Sequence, residues 1–85
     1  MRVTLLYFAS LREAFGIGRE TCDLPAGIDT PQRVRGWLRE RGGPWAVALA
    51  EGRNVRAAVD QVMAVADAPL RDGAEVAFFP PVTGG

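Results

Sequence analysis

Histidine and lysine are both absent from this 85-residue sequence, so all ten of its cations are arginines. Without histidine, no side chain titrates near neutral pH, which removes the usual general base and the commonest metal ligand. Without lysine there is no Schiff-base residue and no side-chain amine for self-conjugation. Arginine in place of lysine is also what genomic base composition alone produces, but the chemical exclusion holds either way. The single cysteine, Cys22, cannot form an internal disulfide and offers no metal-binding spacing. Nothing in the sequence around it would activate a thiol, so packing within a strand is its plainer role. Ten acidic residues balance the ten arginines, and the basic excess that draws nucleic acid or an acidic membrane is missing. No apolar run approaches the roughly 20 residues of a membrane span. The opening MRVTLLYFASLRE continues into a charged helix where a signal peptide would show a cleavage site, so a cytoplasmic location is expected.

The length predicts one domain over residues 1–85, with a core only just sufficient, because a chain this short buries roughly 60–65% of its extended surface. Arg2–Phe8 is rich in leucine, aromatic and β-branched residues and reads as a strand, with Val3, Leu5 and Tyr7 on one face and Thr4, Leu6 and Phe8 on the other. Ser10 and Glu13 have capping-box spacing before a short helix with an apolar stripe of Leu11, Ala14 and Phe15, which Gly16 ends. Arg19–Leu24 alternates as a second strand that turns Cys22 and Leu24 to one side. Thr30 and Pro31 start the main helix, with Val34, Trp37 and Leu38 on its apolar face. Arg33, Arg35, Arg39 and Arg41 are expected in solvent, and Gly42–Gly43 ends that helix. Pro44–Ala50 is ambiguous and leans helical. Val55–Val59 and Val62–Val65 read as a hairpin turning at Asp60–Gln61, and Ala74–Phe79 as the last strand. The expected architecture is α+β, one mixed sheet with the main helix packed on one face.

In the last strand Glu75 resists burial, which sends Val76 and Phe78 into the core and leaves Phe79 on the opposite face. Of the candidate chemistry, Gly16–Gly18 is half of a dinucleotide fingerprint, but a strand follows it, so it reads as a loop. Trp37 and Trp45 are most simply core or rim, and the carboxylates show no paired spacing. On side chains alone the chain does not read as an enzyme. The C-terminal AFFPPVTGG differs from a solvated polar tail. Pro80 and Pro81 must stop the strand ladder and favour extended geometry, projecting residues 80–85 as a tail. Val82 to Gly85 span about 13 Å when extended. Gly84 and Gly85, lacking Cβ, can pass a channel too narrow for other residues.

The stretch LRDGAEVAFFPPVTGG (Leu70–Gly85) strongly resembles the C-terminus of the molybdopterin synthase small-subunit family, ubiquitin-like sulfur carriers. WAVALAEG, AAVDQ, APL and FASLREAFG extend the resemblance, while residues 17–43 are unremarkable. It implies a β-grasp fold and makes the Gly85 carboxylate the working group, adenylated and then converted to a thiocarboxylate that donates sulfur to cyclic pyranopterin monophosphate. Val82 and Thr83 would line the threaded segment and Gly84 give it passage. The implied partners are the large synthase subunit in a heterotetramer, an E1-like adenylating enzyme and a persulfide sulfur donor. ATP and the sulfur donor would act through the activating enzyme, with no cofactor or metal held by this chain. Phe8, Met63 and Phe79 match the family's docking patch, and Arg12 its contact with the activating enzyme; core packing or simple solvation is the alternative for each. A carrier for thiamine synthesis or tRNA thiolation, a ubiquitin-like modifier and a non-catalytic β-grasp adaptor are the rival readings.

Overall fold

The computed structural model describes residues 1–81. The chain runs β1 (Arg2–Tyr7), α1 (Ala9–Phe15), β2 (Arg19–Asp23), α2 (Pro31–Arg39), α3 (Gly43–Ala48), β3 (Arg56–Val59), β4 (Val62–Ala64) and β5 (Glu75–Phe79). The five strands form one mixed sheet in the order β2-β1-β5-β3-β4. Its centre is the parallel pair β1 and β5, which join the two halves of the chain. The pairs β1–β2, β3–β4 and β3–β5 are antiparallel.

Alternation decides what enters the core. Val3, Leu5 and Tyr7 of β1 and Val76 and Phe78 of β5 are buried on one face, as the parity of both strands requires. Leu11 of α1, Val34 and Leu38 of α2, Leu24, Leu49 and Leu70 close over them. The Thr30 hydroxyl accepts from the Arg33 N–H at 3.2 Å, and Pro31 occupies the first turn of α2 where no N–H is needed. The β3–β4 turn has positive φ at both Asp60 (50°) and Gln61 (69°), the geometry that matches strand twist in a two-residue hairpin. Gly16 caps α1 in the left-handed region. Pro44–Ala50, ambiguous by pattern, is helical through Ala48.

Two local expectations fail. Ser10 and Glu13 make no capping box; the N-cap of α1 is Phe8, without a side-chain cap bond. Ala9 takes φ 51°, so the chain swings from strand into helix one residue before Ser10 could serve as a cap, and Ser10 lies inside the helix. Nor do Arg35 and Arg41 simply point to solvent. The Arg35 guanidinium donates to the carbonyls of Leu49 (2.8 Å), Ala50 (2.5 Å) and Arg53 (2.9 Å), tying the end of α3 to α2. Burial lowers its pKa, with the neighbouring Arg39 adding to the shift. Among the described residues, no helix is long and apolar enough to cross a membrane.

Candidate docking face and C-terminal exit

The sheet face away from the helices carries a row set by strand register. Arg19 of β2 pairs with Leu6 of β1, Leu6 with Ala77 of β5, Ala77 with Ala58 of β3, and Ala58 with Met63 of β4. Between the terminal Arg19 and Met63 this row is wholly apolar. One step further along the parallel pair, the Phe8 N–H donates to the Phe78 carbonyl at 3.2 Å, which sets Phe8 beside Phe79 on the same face. Phe79 pairs in turn with Arg56. Phe8 is 47% and Met63 57% exposed, whereas Phe79 is half-buried.

Of the residues picked out from sequence, Phe8, Phe79 and Met63 thus fall on one continuous surface. Pro80 and Pro81 leave it half-buried, directly after Phe79. Pro80 also lines a groove between α1 and α3, beside Leu11, Ala14 and Val47. Arg12 is exposed in the last turn of α1, one helical turn after Phe8, whose carbonyl accepts from the Arg12 N–H at 3.4 Å. Val82, Thr83, Gly84 and Gly85 lie outside the described residues. Leu6, Ala58 and Ala77 were not singled out from the sequence. Parity already put Ala77 on the face of Phe79 and Leu6 on the face of Phe8, but which face of β1 turns outward, and the link to Met63, needed the register of the whole sheet.

The opposite face holds a compact polar and aromatic cluster. The buried Tyr7 hydroxyl donates to Glu20 Oε2 at 2.6 Å, and Arg41 grips both Glu20 oxygens at 2.8 and 3.0 Å. The Arg41 guanidinium also sits 4.4 Å above the Trp45 ring, which stacks on Phe15 at 3.8 Å. Burial raises the Glu20 carboxyl pKa, but hydrogen bonds from Arg41, Tyr7 and Cys22 outweigh it and hold the group below its ordinary value. Burial, then Glu20, raises the Tyr7 phenol. The same two causes raise the Cys22 thiol, which donates to Glu20 Oε1 at 3.2 Å. A thiol kept protonated is a packing group rather than a nucleophile. Among the described residues, no cluster of His, Cys, Asp and Glu could hold a metal ion. This cluster ties β1 and β2 to the region after α2 and does not reach the outer face.

A mixed sheet of this order, with its helices gathered on one face, defines a β-grasp, ubiquitin-like protein. Within that class the chain belongs to the ThiS family, whose model matches residues 5–85. It is 41% identical over 83 residues to the molybdopterin synthase sulfur carrier subunit of Escherichia coli (strain K12), spanning 98% of this chain and 99% of that relative. The protein of the same name from Haemophilus influenzae is 36% identical over 83 residues, again spanning 98% of this chain and 99% of the relative. The solution structure of the Haloferax volcanii HVO 2177 protein matches with a TM-score of 0.79 at 28% identity, over 100% of this chain and 87% of that one.

Proposed function

We propose that this chain is the sulfur carrier subunit of a molybdopterin synthase, with Gly85 as its reacting residue. The observation that carries the reading is a family match that runs to residue 85, alongside near-full-length identity to two proteins of that name. A free carboxylate is a poor electrophile. An E1-like enzyme therefore uses ATP to convert it to an acyl-adenylate, releasing pyrophosphate. The terminal sulfur of a persulfide donor displaces AMP, and a second thiol then cleaves the acyl disulfide, leaving a thiocarboxylate and a new disulfide. The thiocarboxylate sulfur is largely anionic at neutral pH and so nucleophilic. It attacks a side-chain carbon of cyclic pyranopterin monophosphate in the large subunit, the C–O bond at that carbon breaks as its oxygen substituent leaves, and water cleaves the resulting thioester to return the carboxylate. A dithiolene needs two such deliveries, which fits a heterotetramer with two carriers. The setting proposed is the cytoplasm.

The chain's own contribution is mechanical. A sequence without histidine or lysine supplies neither an imidazole base nor a side-chain amine. Phe8, Met63 and Phe79 offer an apolar docking face beside the point where the chain leaves the sheet. The two prolines stiffen that exit, Val82 and Thr83 line the partner's channel, and Gly84 passes where a Cβ would jam. Arg12 supplies a cationic contact to the activating enzyme. The decisive experiment is intact-mass measurement after incubation with an activating enzyme, ATP and a persulfide donor. Replacement of one C-terminal oxygen by sulfur is expected, and an unmodified chain would end the proposal. Transfer to cyclic pyranopterin monophosphate only with a molybdopterin synthase large subunit, and not with thiazole-forming or tRNA-thiolating enzymes, fixes the pathway.

A further inference from the structure

The loop between α1 and β2 contains two glycines with different reasons to be glycine. Gly16 has φ 74°, a backbone conformation that side chains resist, and nothing within 4 Å of where a Cβ would stand. Gly18 is the reverse. Its φ lies outside the left-handed region, so its backbone would accept alanine, but a Cβ there would meet the Arg12 side chain at 3.0 Å from Nε and 3.2 Å from both Cδ and Cζ. The space that a Gly18 side chain would fill is occupied by the arginine. Gly18 is itself anchored, because its carbonyl accepts from the Tyr7 N–H at 3.0 Å. Tyr7 pairs with Phe78, so this seat stands at the end of the sheet from which β5 runs out to Pro80.

We infer that Gly18 is a positioning residue: by lacking a side chain it seats the Arg12 guanidinium across the α1–β2 turn, at the C-terminal exit end of the sheet, ready for an anionic group of the activating enzyme. The inference rests on the Arg12 role proposed above. A long arginine side chain loses considerable rotamer freedom when held. Laying its stem on a fixed glycine removes part of that cost before the partner arrives, which is the general advantage of preorganisation.

The test is a double-mutant cycle read in carrier-dependent ATP–pyrophosphate exchange with the activating enzyme. Arg12→Ala is expected to raise the KM for the carrier about tenfold with kcat little changed, the pattern of a lost binding contact. Gly18→Ala, which asks the arginine to yield by a few tenths of an ångström, is expected to raise KM about twofold to threefold. Gly18→Val, which fills the seat, is expected to approach the effect of Arg12→Ala. In the Arg12→Ala background neither Gly18 substitution should change KM further. Unchanged thermal melting of Gly18→Ala separates seating from folding. Wild-type KM in both Gly18 variants, beside an impaired Arg12→Ala, overturns the inference while leaving the Arg12 contact standing. Equal Gly18 effects with and without Arg12 overturn it as well. Wild-type behaviour of Arg12→Ala removes the contact itself and the seat with it.

Discussion

Glu20→Gln perturbs the cluster that ties the first two strands to the region after α2, and its cost can be worked from the geometry. The substitution preserves shape and leaves one oxygen for the Tyr7 hydroxyl, but it removes the charge and turns the other oxygen into an amide donor, so of the two hydrogen bonds from Arg41 at 2.8 and 3.0 Å one becomes neutral and the other is lost. Fully exposed ion pairs contribute about 0–1 kcal/mol, whereas breaking a buried pair by removing one partner costs about 3–5 kcal/mol. The Glu20 and Arg41 side chains are 19% and 32% exposed, which places this pair between those limits. A loss of about 2 kcal/mol is expected, equivalent to a drop in melting temperature of roughly 8–16 °C for a domain of this size. The pH dependence gives a second handle. The folded-state pKa of Glu20 lies below its ordinary value, so its stabilisation is complete above that value and is lost as pH falls through the folded one. Circular-dichroism melts of both proteins should therefore differ at neutral pH and converge as the pH falls through the lowered folded-state value. Other carboxylates that titrate in that window do so in both proteins, so the difference isolates Glu20. Equal melting temperatures at neutral pH, or a gap that persists undiminished in acid, would refute the account of this cluster.

Phe79→Ala should weaken binding to the large subunit by about 1–3 kcal/mol if the ring is a central anchor of the docking face, and calorimetry showing unchanged affinity would remove it from that role. Deletion of Gly85, or addition of one residue after it, should leave the melting curve intact and abolish thiocarboxylate formation by intact mass. Arg35→Gln should destabilise the fold by about 1–3 kcal/mol, because three carbonyls lose charge-assisted donors; chemical denaturation with an unshifted midpoint would count against that clasp. Leu38, buried completely beneath the sheet, should cost about 2–5 kcal/mol on truncation to alanine, with a midpoint shift of the corresponding size in the same assay.

Much of this architecture is readable along the chain because its determinants are local. Glu75 could not be buried unpaired, so parity sent Val76 and Phe78 inward and Phe79 outward, and the structure agrees. Thr30 with Pro31 marked the start of α2, and the hairpin turned where two adjacent polar residues could take positive φ. The capping box failed for an equally local reason, the left-handed Ala9, which nothing in its own side chain announces. Residues brought together from distant positions were less accessible. Arg35 and Arg41 sit on a helix and just beyond it at spacings that read as solvent-facing, yet one holds three carbonyls and the other lies on Trp45 and grips Glu20.

The amino-acid order alone determined most of the secondary elements and the inward face of the last strand, because each follows from neighbouring residues. Only the folded chain decided that Leu6, Ala77, Ala58 and Met63 form one row, that Phe8 stands beside Phe79, and that Gly18 leaves room for Arg12. The strand relations depend on the register between residues seventy-one positions apart, with Thr4 opposite Glu75, whereas the Gly18 seat, six residues from Arg12, depends on the course of the α1–β2 turn. That register is set by how the whole core packs, and no short window of sequence contains it.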